Sequence, residues 1–79
     1  MLFQLVQIEL NDNDQVIAET RTLPLFELHE HAMAMAEFAA ARCHGDYGYD
    51  AEHDCWWAAS GDKTLRFIVR AVTELDAAA

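Results

Sequence analysis

The chain reads as an α+β domain of ββαββ order: a four-stranded antiparallel sheet with one helix packed on one face. Three observations predict it. Two short, partly alternating apolar segments flank the turn-forming "NDND". A longer stretch rich in Ala, Met, Leu and Glu then changes the apolar period from two to about 3.6. Two further strand-like segments follow, separated by "GD".

The first hairpin takes residues 2–10, "LFQLVQIEL", and 15–22, "QVIAETRT". Its Asn and Asp turn residues tolerate left-handed backbone and bond their own main chain. The helix is placed at about residues 25–43. Pro24 suits a first helical turn, and Gly45 can close the far end in a left-handed conformation. At about 100° per residue, Leu28, Ala32, Met35, Ala39 and Cys43 share one side, while Glu30, Glu37 and Ala41 lie opposite. A loop then leads to "HDCWWAAS". The second hairpin joins "HDCWWAAS" to "KTLRFIVRAV" through Gly61 and Asp62, and the tail "LDAAA" is expected to fray. One domain spans 1–79, with no repeat or linker.

One helix covers one sheet face, so alternation must divide the strand residues into two sets. The expected helix-facing set is Val6, Ile8, Val16, Ala18, Cys55, Trp57, Leu65 and Phe67. Phe3, Leu5, Ile17, Trp56, Ile68 and Val72 then point to the uncovered face and form the expected interface. Each large apolar side chain left in water forgoes about 1.5–3 kcal/mol of burial, a large share for a domain this small.

Composition narrows the class. With 53% hydrophobic residues, three Gly and one Pro, the chain is too apolar for a disordered tail. The start "MLFQLVQIEL" has no basic region or cleavage signal, and no apolar run nears the roughly 18 residues of a membrane span, so a soluble, cytoplasmic protein is expected. Cys43 and Cys55 are too few for a disulfide framework. A net charge of −9 with five Lys and Arg repels phosphates and anionic lipid and would attract a basic protein partner. No nucleic-acid or membrane binding is expected.

The densest chemistry lies in "RCHGDYGYDAEHDCWW", residues 42–57, which holds two Cys, two His, four carboxylates and four aromatic rings. Cys43, His44, His53 and Cys55 are side chains zinc accepts, and His53 and Cys55 would share a strand face. Adjacent residues at a helix end diverge by about 100°, however, and the order lacks the paired spacing of common zinc modules. No metal or other cofactor is therefore expected. His29 and His31 diverge by about 200° on a helix and form no chelating pair. Asp46, Asp50, Glu52 and Asp54 lack the ligand order of a calcium loop. Cys43 beside His44 is the local nucleophile–base candidate, but helix C-terminal carbonyls disfavour a thiolate there. Catalysis is not expected.

The sequence thus points to a small acidic, non-enzymatic interaction module that self-associates as a homodimer, through the uncovered sheet face or by edge pairing. Two alternatives stand beside it. One is a zinc- or small-ligand-binding domain centred on residues 43–57, and the other an acidic, antitoxin-like inhibitor of a basic partner.

Overall fold

A computed structural model describes residues 1–72. The elements are β1 (Leu2–Leu10), β2 (Val16–Arg21), α1 (His29–Ala41), β3 (Tyr47–Asp50), β4 (Cys55–Ser60) and β5 (Lys63–Val72). The strands form one antiparallel sheet in the order β2-β1-β5-β4-β3, and α1 packs across β5, β4 and β1. The α+β class stands. The strand count is five rather than four, because Tyr47–Asp50, expected as loop, pairs with β4 from Tyr47↔Ala58 to Asp50↔Cys55. The fraying expected of "LDAAA" lies outside the described residues. None of the described helices is long and apolar enough to cross a membrane.

Both hairpins close as their turn residues dictate. Asn11 Oδ1 accepts the main-chain N–H of Asn13 (2.9 Å) and Gln15 (3.0 Å), and Asp14 takes φ 58°. Gly61 takes φ 66° at the first position between Ser60 and Lys63, which primed hairpin turns require.

The helix begins later than expected. Pro24, which follows a cis peptide bond, precedes the helix by several residues. The intervening chain is occupied in the sheet: Phe26 exchanges main-chain hydrogen bonds with Phe3 (2.7 and 2.8 Å), and Thr22 Oγ1 donates to Leu5 O (2.8 Å). These contacts fill the stretch of β1 that β2 leaves unpaired, so the chain is extended where Pro24 suggested a helix. At the other end α1 stops at Ala41 with Arg42 as cap. Gly45 does not take the expected left-handed φ. Its lack of a side chain serves close approach instead, since a Cβ there would stand 2.6 Å from Ala59 O.

The residues that meet the helix differ from the expected set. Ala32, Ala36 and Ala40 are fully buried, and Ala36 and Ala40 seat α1 close on a floor of Leu5, Ala58 and Phe67, flanked by Phe26, Ala39, Cys43, Trp56, Leu65 and Val69. The helix is therefore rotated from the expected face, and Met35 is 42% exposed. Leu65, Phe67 and Ala18 face the helix side as expected. In β1 and β4 the faces are exchanged, and the register shift at Glu9 and Leu10 turns Val16 to the face opposite Ala18. Phe3, Leu5 and Trp56, expected on the open face, lie on the helix side, with Phe3 edge-on to His29 at 5.4 Å. Val6, Ile8, Val16, Cys55 and Trp57, expected beneath the helix, belong to the open face through the pairings Val6↔Ile68, Ile8↔Arg66, Leu10↔Val16 and Trp57↔Arg66. The reason is physical: β1 is apolar on both parities and β4 carries consecutive Trp, so alternation alone cannot choose a face.

Candidate functional site

Two surfaces combine apolar side chains with organised charge. The first is the open sheet face. Its central strands present Val6, Ile8, Ile68 and Trp57 side by side, with Arg21, Arg66 and Arg70 among them. Ile68 and Val72 are here as expected, whereas Ile17 sits at the bulge where β2 and β1 shift register and is half exposed.

Val6 is 0% exposed although, among the described residues, no helix covers it. The register explains this. Arg70 stands opposite Gln4 on one side of β1, and Glu19 opposite Ile8 on the other. Arg70 Nη1 reaches Glu19 Oε1 at 3.0 Å, so the ion pair passes diagonally above Val6, and Arg21 Nε adds a contact to the same oxygen at 3.7 Å. The aliphatic stems of the arginines cover apolar surface while their heads stay wet. This strap replaces a second layer at one point of the face; Ile8, Ile68 and Trp57 remain half-buried beside it.

The second surface lies between α1 and the edge strand β3. Ala34, Phe38 and Ala41 recur at helical spacing on the outer side of α1 and with Glu37 and Tyr47 line a groove of about 300 Å³. Phe38 is 56% and Tyr47 48% exposed. The Arg42 guanidinium lies 5.7 Å from the Phe38 ring centroid. Tyr49, on the same sheet face as Tyr47, tilts against Trp56 at 5.5 Å and donates its hydroxyl to Asp54. That hydrogen bond to a carboxylate holds the Tyr49 hydroxyl above its ordinary pKa.

The expected metal candidates do not converge. Cys43 and His44 line a hollow of about 500 Å³ with Asp46, Ala59, Ser60 and Gly61, at the end of β4 opposite to His53 and Cys55. Cys43 Sγ donates to Ala39 O at 3.7 Å. Cys55 is fully buried on the open-face side, and burial pushes its thiol pKa up. Both cysteines are free thiols.

The residues whose donor atoms do gather, within 4.8 Å of one another, are Asp50, Glu52 and His53 in the β3–β4 turn. They are already one another's partners. Asp50 Oδ1 accepts the N–H of Glu52 (3.0 Å) and of His53 (3.3 Å), and His53 Nδ1 donates to Asp50 Oδ2 at 2.7 Å. The His53 bond holds the Asp50 carboxyl below its ordinary pKa, and Asp54 at φ 49° completes the turn. The group closes a turn and so presents Tyr47 and Tyr49. Sequence reasoning missed this strand; the alternation of "YGY" within the acidic stretch was its signal.

No protein-family model, curated protein or solved structure matches the chain.

Proposed function

We propose that this chain is a small non-enzymatic interaction module that self-associates, two copies packing open sheet face against open sheet face. The observation that supports it is the combination of half-buried Ile8, Ile68 and Trp57 with the concentration there of three of the chain's five cationic residues, Arg21, Arg66 and Arg70. A chain of net charge −9 repels its own copies over most of its surface. On the open face the arginines oppose that negative field, and Glu19, shared by Arg70 and Arg21, offsets part of their charge where the two faces would meet. A molecule 35 × 22 × 22 Å offers one face on the order of 700 Å², close to the roughly 800 Å² per partner of a standard interface.

Light scattering tests this directly. The expected mass at micromolar concentration is twice 8.9 kDa, and Ile68→Glu, which plants a carboxylate in the middle of the face, should return it to 8.9 kDa with unchanged circular dichroism. A parent that stays at 8.9 kDa up to millimolar concentration, or an Ile68→Glu variant still twice that mass, refutes the open-face dimer.

A further inference from the structure

We infer that the groove between α1 and β3 docks an extended segment of a partner protein that is basic and apolar in alternation, and that this segment adds a sixth strand at the free edge of β3. This goes beyond self-association and uses a different surface.

The backbone phase of β3 leaves one set of its hydrogen-bonding groups facing outward. Ala59 N–H donates to Asp46 O at 2.7 Å, in register with the β3–β4 pairing. In an antiparallel ladder, alternate residues bond the same neighbour, so Asp46, Gly48 and Asp50 turn their main chain toward β4. Tyr47 and Tyr49 therefore turn theirs to the outer edge, which is unpaired among the described residues and where a strand can pair with them.

A groove runs beside that edge. The side chains of Tyr47 and Tyr49 lie on the helix side, and Tyr47 lines the groove with exposed Phe38 and the small Ala34 and Ala41. A strand added along β3 would drop alternate side chains toward Phe38 and Tyr47, so main-chain bonds and an apolar anchor are offered by one stretch of surface.

Charge chooses the occupant. Glu37 lines the groove, Asp46 and Asp50 mark the two ends of β3, and Glu52 and Asp54 follow in the turn; Arg42 is the nearby cation and lies over Phe38. A second copy pairing β3 with β3 would set these carboxylates against themselves. A segment carrying Lys or Arg between its apolar residues meets them with opposite charge.

The test uses the intact protein and a synthetic heptapeptide, Lys-Val-Lys-Phe-Lys-Val-Lys, with a labelled N-terminus, followed by fluorescence anisotropy and by amide NMR of the protein. Three comparisons separate strand addition from mere attraction of a polycation to an acidic protein. The same peptide with alternate main-chain nitrogens methylated keeps every charge and loses one hydrogen-bonding edge; its affinity should fall about tenfold or more. Phe38→Ser, a change at an exposed position, should weaken binding by a similar factor. Ile68→Glu, on the opposite face, should leave it unchanged, so failure of the open-face dimer and failure of this inference read out separately. The largest amide shifts should fall on Tyr47 and Tyr49. Equal binding of the methylated peptide, shifts spread over all carboxylate-bearing segments, no binding at millimolar peptide, or a β3 edge already closed by a second copy would each overturn the inference.

Discussion

Ala36→Leu is the sharpest probe of how the helix sits. Ala32, Ala36 and Ala40 are each fully buried, and Ala36 belongs to the cluster with Leu5, Ala58 and Phe67. Leu keeps nearly the helix propensity of Ala, so the change acts through space alone. Its extra carbons meet a floor of large side chains, and the helix must lift or the floor must leave its rotamers. Overpacking of this kind costs about 1–3 kcal/mol. In a domain of this size each kcal/mol moves Tm by about 4–8 °C, so a drop on the order of 5–20 °C is expected. Met35→Ala is the paired control. The helical periodicity puts Met35 on the sheet side, where removal would cost about 2–5 kcal/mol. The structure leaves it 42% exposed, so the cost should stay below about 1 kcal/mol. Urea titrations followed by circular dichroism measure both. Parent-like stability of Ala36→Leu together with a loss above about 2 kcal/mol in Met35→Ala would show the helix rotated back to the face the periodicity favours.

Gly45→Ala should destabilise by about 1–3 kcal/mol, because its Cβ would stand 2.6 Å from a main-chain oxygen that no rotamer change can move; a neutral urea midpoint would refute the close approach. Ellman's reagent should titrate Cys43 in native protein and Cys55 only after urea is added, since Cys55 is fully buried with its thiol pKa raised; two equally fast thiols would contradict that burial. Asp50 has its carboxyl pKa lowered in the fold, so its contribution is complete above the ordinary value of 3.8 and fades as pH falls through the lower folded value. The stability gap between the parent and Asp50→Asn should therefore be open at neutral pH and close in acid, and a gap of the same size at both would refute the His53 hydrogen bond.

The fold was legible where the sequence carries one dominant signal. Asn11 to Asp14 and Gly61 announce their turns because the backbone there needs left-handed or self-bonded residues. β5 sorts cleanly, since Leu65, Phe67 and Val69 alternate with Arg66 and Arg70. β1 does not sort. Its even residues Leu2, Val6, Ile8 and Leu10 are more apolar than its odd ones, yet the helix covers the odd side. Arginine was the usable clue: Arg66 and Arg70 mark the open face of β5, and antiparallel pairing carries that face to Ile8 and Gln4 on β1. The rotation of α1 was hidden because its alanines occupy much of the circumference and give little contrast between faces. Of the stretch 42–57, sequence foresaw its chemical density but not that it contains an edge strand. It also offered no means of seeing that Cys43 and His44 end far from His53 and Cys55, because that separation is made by the length of β4.

A sheet apolar on both faces and covered on one is an aggregation hazard unless something restricts which copies can meet and where. In the proposed dimer, charge placement would do the restricting. The carboxylates of the turns, the helix and the β3 surround push copies apart at those places, while the strap of Arg70, Glu19 and Arg21 shields Val6 and leaves a limited apolar area. Two copies that meet on their open faces would leave both α1–β3 grooves on the outside, because groove and open face lie on opposite sides of the sheet. Such a dimer is bivalent. A partner carrying two basic strand-forming segments on a linker that spans the grooves would gain avidity of about 10²–10⁴ over a single segment without any new contact. The Ile68→Glu monomer should bind one segment as the parent does and lose that gain, so comparing one-segment and two-segment peptides on the two proteins measures the coupling between the surfaces. Equal avidity on the monomer would place the second binding event on the same copy and break the link between self-association and partner capture.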